Sequence, residues 1–137
     1  MDLGIKGKCA AVAAGSAGLG LGAAKALAAE GVRVAICGRD GGRLQTAVAA
    51  ITGEVIAIEG DVSSPEGGLA FVNAATQQLG QIDILVTNAG GPPRGTFATT
   101  EAEAYRIALD MNCLSMIEMC RAAIPSMRER NWGRVCA

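Results

Sequence analysis

The chain has 137 residues, with 12 Lys+Arg against 13 Asp+Glu, a formal net charge of -1 and 50% hydrophobic residues. That is enough chain and apolar material for one domain, and it carries no basic surplus of the kind nucleic acid demands. With no histidine, hydrolytic schemes that need an imidazole and histidine-bearing zinc sites are excluded within the chain. The cysteines Cys9, Cys37, Cys113, Cys120 and Cys136 form no C-x-x-C pair and are read as small buried hydrophobes, with no metal site. Cys113 and Cys120, seven apart, are expected on one helix face. No apolar stretch approaches the roughly 18–20 residues that span a bilayer, so no membrane partner and a reduced, cytoplasmic setting are expected.

In chain order, Lys8–Ala14 is a short apolar run leading into the glycine-rich stretch Gly15–Gly22. Leu19–Glu30 has helical composition and stops at Gly31, where a left-handed residue belongs. Val32–Cys37 is a strand by propensity. Asp40 can cap a helix over about 42–51, and Glu54–Glu59 is a third strand. Ser63-Ser64-Pro65-Glu66 offers a serine cap, an early proline and an acidic first turn for a helix to about Leu79. Ile82–Thr87 is a fourth strand, and 88–93 is a loop. Thr100 with Glu103 makes a capping box for a helix continuing through Met127, with Pro125 expected to kink or interrupt it. The arginines from Arg121 to Arg134 are read as a solvated helix end.

Arg134–Ala137 looks like a fifth strand beginning. This alternation predicts an α/β fold, a doubly wound parallel Rossmann-like sheet of strand order 3-2-1-4-5. It is expected to be a single incomplete domain over 1–137, truncated in its fifth strand, with one sheet edge unpaired.

The first strand feeds Ala13-Ala14-Gly15-Ser16-Ala17-Gly18-Leu19-Gly20 and then a helix. Glycines there let backbone N–H groups approach a pyrophosphate, and the helix N-terminus adds partial positive charge. The spacing is neither G-x-G-x-x-G nor a phosphate loop.

Gly18-Leu19-Gly20 after the first strand, Asp61-Val62 after the third, Asn88-Ala89-Gly90 after the fourth and Asn112 in the next helix resemble, in order and spacing, the short-chain dehydrogenase/reductases. The closest likeness is to the 3-oxoacyl-acyl-carrier-protein reductase-like branch. The resemblance implies a nicotinamide dinucleotide and hydride transfer between it and a carbonyl or secondary alcohol. It also implies a small-molecule or acyl-carrier-linked substrate in a longer parent. Ser16 and the backbone from Gly18 through Leu19 to Gly20 would hold the pyrophosphate and adenosine ribose. Asp61 would meet the adenine amino group, with Val62 against the ring. Asn88 would stabilise the sheet centre, and Ala89 and Gly90 would lie along the cofactor. Asn112 would hold a water in the proton relay, and the helix around 100–128 would form a homo-oligomer interface.

The chain departs from the family pattern at Ala14, where glycine is customary. Alanine there must adopt an unusual conformation or let Gly15 make the turn. At the end of the second strand, Gly38 leaves space and Arg39 is a candidate partner for a 2′-phosphate, while Asp40 has an alternative use as a helix cap. NADP is therefore favoured over NAD. The serine, tyrosine and lysine that carry the family's chemistry would follow the fifth strand. Tyr105, the sole tyrosine, precedes Asn112 and has Leu109 four residues on, so it does not fit that role; its ring is expected to be partly packed. The chain alone is expected to be inactive. A non-catalytic adenine-nucleotide-binding module and an interaction module are the alternatives.

Overall fold

Short runs of small and β-branched residues form the strands, and alanine-rich runs form the helices between them. The strands are β1 (Cys9–Val12), β2 (Arg33–Gly38), β3 (Val55–Glu59), β4 (Ile84–Val86) and β5 (Arg134–Cys136). Helices α1 (Gly18–Ala29), α2 (Gly41–Ala49) and α3 (Pro65–Leu79) follow the first three strands. Helices α4 (Ala102–Leu109) and α5 (Ser115–Glu129) lie between β4 and β5. The computed structural model describes residues 1–92 and 94–137, so Pro93 of the expected loop lies outside the described residues.

All strand pairs are parallel, in the order β3-β2-β1-β4-β5. Strand β1 is central and wholly buried, and its alternate side chains enter two cores. Ala11 and Cys37 pack with Phe71, Leu85 and Met119 on the α3/α5 side. Val12, Val34 and Ile36 pack with Ala24, Leu44 and Ile84 on the α1/α2 side. The small residues in both layers let helices sit close to the sheet, which aligns the carboxyl ends of β1 to β4 along one rim.

Local chemistry sets the helix starts. The Asp40 carboxylate accepts the Arg43 N–H at 2.8 Å, and the Ser64 hydroxyl accepts the Gly67 N–H at 3.1 Å with Pro65 opening α3. Gly31 takes φ +77° after α1.

Four expectations are corrected. The capping box does not form at Thr100 and Glu103; Thr96 and Thr99 cap a short 3-10 turn at Phe97–Thr99. The Thr100 hydroxyl instead turns back to donate to the Thr96 carbonyl at 2.7 Å, so α4 starts without a side-chain cap. The helix expected to run to Met127 is broken at a π turn, Asp110–Leu114, whereas α5 runs through Pro125 to Glu129. A proline removes one backbone donor, and the rest of α5 keeps its ladder.

The cysteines differ in burial. Cys9 and Cys37 are buried, Cys113 and Cys120 are half-buried, and Cys136 is exposed because it lies on the edge strand β5. The arginines are not all solvated either. Arg130 is folded back onto the sheet, donating to the Ile82 carbonyl at 2.8 Å and lying 3.4 Å from the Asp83 carboxylate. Asp83 is 1% exposed and also accepts the Cys9 N–H at 2.9 Å and the Gln81 amide at 3.0 Å. A buried carboxylate needs such partners, and they tie β1, β4 and α5 together at the amino ends of the strands. Arg134 and Lys8 stack on Trp132, at 4.9 and 4.4 Å from the ring centroid.

Candidate functional site

The site is built around the turn that leaves β1. Ala14 sits at φ +47°, a left-handed conformation that strains an alanine by about 1–2 kcal/mol. Its neighbours hold it there. The Ala13 N–H donates to the Val86 carbonyl and the Gly15 N–H to the Cys37 carbonyl, each at 2.9 Å. The Asn88 side-chain amide donates to the Ala13 and Ala14 carbonyls, both at 3.3 Å. The Ala14 N–H meets the Cys37 sulfur at 3.4 Å, and burial pushes the Cys37 thiol up to about 12, so it stays neutral beneath the turn. Ala14→Gly should relieve the strain at some expense in chain entropy. A net gain of about 0.5 kcal/mol is expected, read as a higher urea midpoint at unchanged slope.

Two glycines in the turn have different jobs. Gly18 begins α1 at φ +55°, and a Cβ there would meet nothing within 4 Å, so it keeps the wall of an open cleft low. Gly20 is buried; a Cβ there would lie 2.4 Å from the Ala14 carbonyl oxygen and 2.8 Å from the Asn88 amide nitrogen. Helix α1 has no side-chain cap and no acid in its first turn, which leaves its first amides and its positive end directed at the cleft.

That cleft, of about 580 Å³, runs along the carboxyl ends of the strands. Ser16, Gly18 and Leu19 line it from the β1 turn, and Arg39 lines it from β2. Asp61 and Val62 contribute from the β3 end, and Asn88, Ala89 and Gly90 from the β4 end. Residues as far apart in the chain as Ser16 and Gly90 thus share one concave surface because the strands carrying them are parallel and adjacent. Of the residues singled out from sequence, Gly20 lies beneath this surface rather than on it. Asn112 lies outside it, exposed, with its amide donating to the Ala108 carbonyl at 2.9 Å. Tyr105 is also outside it, on α4 and 45% exposed.

At the β3 end, the Asp61 carboxylate accepts the Ser63 N–H at 2.9 Å. Burial raises its pKa, but the Ser63 amide and hydroxyl and the Arg39 guanidinium outweigh that, leaving the group below its ordinary value and ionised. Val62 is buried, and its carbonyl accepts the hydroxyl of the fully buried Ser115 at 2.7 Å, which locks this corner to α5. At the β2 end, Gly38 has no room for a side chain. A Cβ would lie 2.9 Å from the Ser16 hydroxyl oxygen and 3.1 Å from the Ser16 Cβ. Asp40 is engaged as the cap of α2.

Arg43, Ser63 and Met111 also line the cleft and were not picked out from sequence. Arg43 lies in the first turn of α2, just after the β2 end that carries Arg39. Met111 is brought there by the π turn, which no local pattern announces.

Residues 8–137 match the short chain dehydrogenase family model. The ketoacyl reductase HetN of Nostoc sp. is 37% identical over 134 residues, covering 96% of this chain and 47% of that protein. The L-fucose dehydrogenase of Oryctolagus cuniculus is 32% identical over 132 residues, covering 94% of this chain and 45% of that one. Among solved structures, L-sorbose reductase from Gluconobacter frateurii, complexed with NADPH and L-sorbose, superposes with a TM-score of 0.90 at 31% identity, covering 98% of this chain and 53% of the other. A 7α-hydroxysteroid dehydrogenase complexed with NADH gives 0.87 at 28% identity, covering 96% and 52%. The chain therefore spans about half the length of these relatives. With its parallel sheet, its glycine turn and a family match over nearly all of its residues, this chain belongs to the short-chain dehydrogenase family.

Proposed function

We propose that this chain is the dinucleotide-binding part, a single incomplete domain, of an NADP-dependent short-chain oxidoreductase. In the full-length parent it would transfer hydride between NADPH and a carbonyl or secondary alcohol, in the manner of a 3-oxoacyl reductase. The observation that carries the coenzyme choice is the β2 corner. Gly38 excludes an acidic side chain, Asp40 is occupied as a cap, and Arg39 stands at the cleft. Relatives include a ketoacyl reductase, and solved neighbours hold NADPH in one case and NADH in another, so the choice rests on these residues.

The cleft fits such a cofactor. Open space over Gly18 and the uncapped end of α1 suit a pyrophosphate, and Ser16 can add a hydroxyl. Asp61 and Val62 suit adenine, while Ala89 and Gly90 lie where the nicotinamide half would run, beside Met111. Asn88 serves by holding the turn rather than by touching ligand. Bound there, the cofactor supplies the hydride. Asn112 is assigned the water-holding role that the resemblance implies, with its side-chain oxygen, since its amide is spent on Ala108.

Arg39→Asp should weaken NADPH binding by about 100-fold and shift preference to NADH, because it removes a charge-assisted contact and adds repulsion. Titration of both dinucleotides checks this; unchanged relative affinity would overturn the NADP assignment. The isolated chain should show no carbonyl-dependent NADPH oxidation, since its sole tyrosine, Tyr105, stands outside the cleft and cannot reach a bound substrate to act as acid. Turnover by pure chain would refute that.

A non-catalytic nucleotide-binding module is the second reading, favoured by the adenosine-side residues all lying within the chain. An open reading frame continuing into a Ser…Tyr-x-x-x-Lys pattern would remove it. The exposed apolar residues Leu109, Leu114, Ile117 and Ile124 support assembly with a second copy through α4 and α5. Among the described residues no helix is long and apolar enough to cross a membrane. The free thiols suit a reducing cytoplasm.

A further inference from the structure

We propose that Cys37 is a positioning residue for the dinucleotide turn. By accepting the Ala14 N–H, its sulfur holds an alanine in a left-handed conformation where glycine is customary, and so sets the amides at the start of α1. The inference rests on the dinucleotide reading of the cleft and is independent of the choice between NADP and NAD. Ala14 stands at φ +47°. Glycine takes that conformation freely, whereas alanine must be held there. The hold comes from both sides of β1. From the β4 end, the Asn88 amide donates to the Ala14 carbonyl at 3.3 Å. From β2, the Cys37 sulfur accepts the Ala14 N–H at 3.4 Å. The family resemblance gives Asn88 its part and gives Cys37 none.

The backbone around Ala14 leaves this amide to the sulfur. The Ala13 N–H goes to the Val86 carbonyl and the Gly15 N–H to the Cys37 carbonyl, each at 2.9 Å, while the Ala14 N–H has no backbone acceptor among the described residues. A part-buried amide without a partner is costly, so the contact with sulfur decides where this peptide points. Cys37 is fully buried in the core with Ala11, Phe71 and Leu85, which fixes the place of its sulfur. Burial also keeps the thiol protonated, its pKa pushed up to about 12, so the contact joins neutral groups near neutral pH. What the sulfur holds is passed on to α1. The Ala14 carbonyl oxygen lies so near Gly20 that a Cβ there would come within 2.4 Å of it. A turn of the Ala14 peptide toward negative φ therefore displaces the first turn of α1, whose free amides, with the adjoining Ser16, face the cleft.

The test is a double-mutant cycle on this chain. Cys37→Val keeps the volume and removes the acceptor, Ala14→Gly removes the strain, and the two are then combined. Calorimetric titration with NADPH and with NADH is read beside hydrogen exchange at the residue 14 amide. Cys37→Val should weaken NADPH and NADH alike, about fivefold, and speed exchange of the Ala14 amide. With Ala14→Gly already present, the same substitution should cost less than about twofold, because glycine keeps the turn unaided. Cys37→Ser, with a hydroxyl acceptor in place of the thiol, should recover part of the affinity beside Ala14. Unchanged affinity in Cys37→Val overturns the positioning role. So does an equal loss with alanine and with glycine at position 14, which would mark a defect of core packing alone. An unsubstituted chain that binds neither dinucleotide overturns the cofactor reading, and this role with it. Should Cys37→Val fail to fold, Cys37→Ala takes its place in the cycle under the same criteria.

Discussion

Gly20→Ala is expected to weaken dinucleotide binding about thirtyfold, whereas Gly22→Ala, two residues along the same helix, leaves binding intact and stabilises the fold. The contrast isolates close approach from helix propensity. At Gly20 the added carbon would lie 2.4 Å from the Ala14 carbonyl oxygen and 2.8 Å from the Asn88 amide nitrogen. Neither group can yield cheaply, because Ala14 is already strained at φ +47° and the Asn88 amide holds the Ala13 and Ala14 carbonyls. Helix α1 must therefore lift from the turn, which costs about 1–3 kcal/mol in stability and moves the amides that face the cleft. Losing about 2 kcal/mol of amide contacts weakens Kd about thirtyfold. At Gly22 a Cβ would meet nothing within 4 Å, and alanine there should add about 0.5–1 kcal/mol of helix stability. Urea unfolding and NADPH titration on both variants check the pair. Equal affinities for Gly20→Ala and the parent would mean that the turn is not where the dinucleotide sits.

Asp83→Ala should do the reverse, with a large loss of stability and little loss of affinity in whatever stays folded. Asp83 is 1% exposed at the amino ends of the strands, opposite the cleft. Removing its carboxylate orphans the Cys9 N–H and takes the counter-charge from Arg130, whose Nε has no partner among the described residues. Removing a buried carboxylate from a pair whose arginine is part-exposed costs about 2–3 kcal/mol, and Tm should fall by on the order of 10 °C. Pairing it with Arg130→Met should recover part of the loss, since two apolar groups leave no uncompensated charge. A double-mutant cycle with no coupling would show that the contact between Asp83 and Arg130 contributes nothing to the fold.

Strand and helix identities, the Asp40 and Ser64 caps and the left-handed Gly31 were all legible in the sequence, because each depends on residues within a few positions. The parallel order also followed, since helices between successive strands leave few other ways to wind the sheet. The family motifs pointed to the cleft in the same way, from their spacing after β1, β3 and β4. What stayed hidden depended on distant partners. Thr100 had a capping partner in sequence, yet its hydroxyl bonds back to Thr96. The π turn at Asp110–Leu114 is followed at once by Ser115, whose hydroxyl is held by Val62, 53 residues away in sequence, and it brings Met111 into the cleft.

The residues by themselves determined which segments are strands and helices, which turn is rich enough in glycine to approach a diphosphate, and which side chains carry charge at the β2 corner. Only the tertiary structure decided how those parts are used: that Ala14 is held in a left-handed conformation, that Gly20 packs while Gly18 opens, that Arg130 folds back onto the buried Asp83, and that Arg43 and Arg39 line one cleft. The division has a physical cause. Dihedral sterics and caps act over a few residues, whereas close approach, desolvation and the pairing of charges depend on which distant segments the sheet brings together.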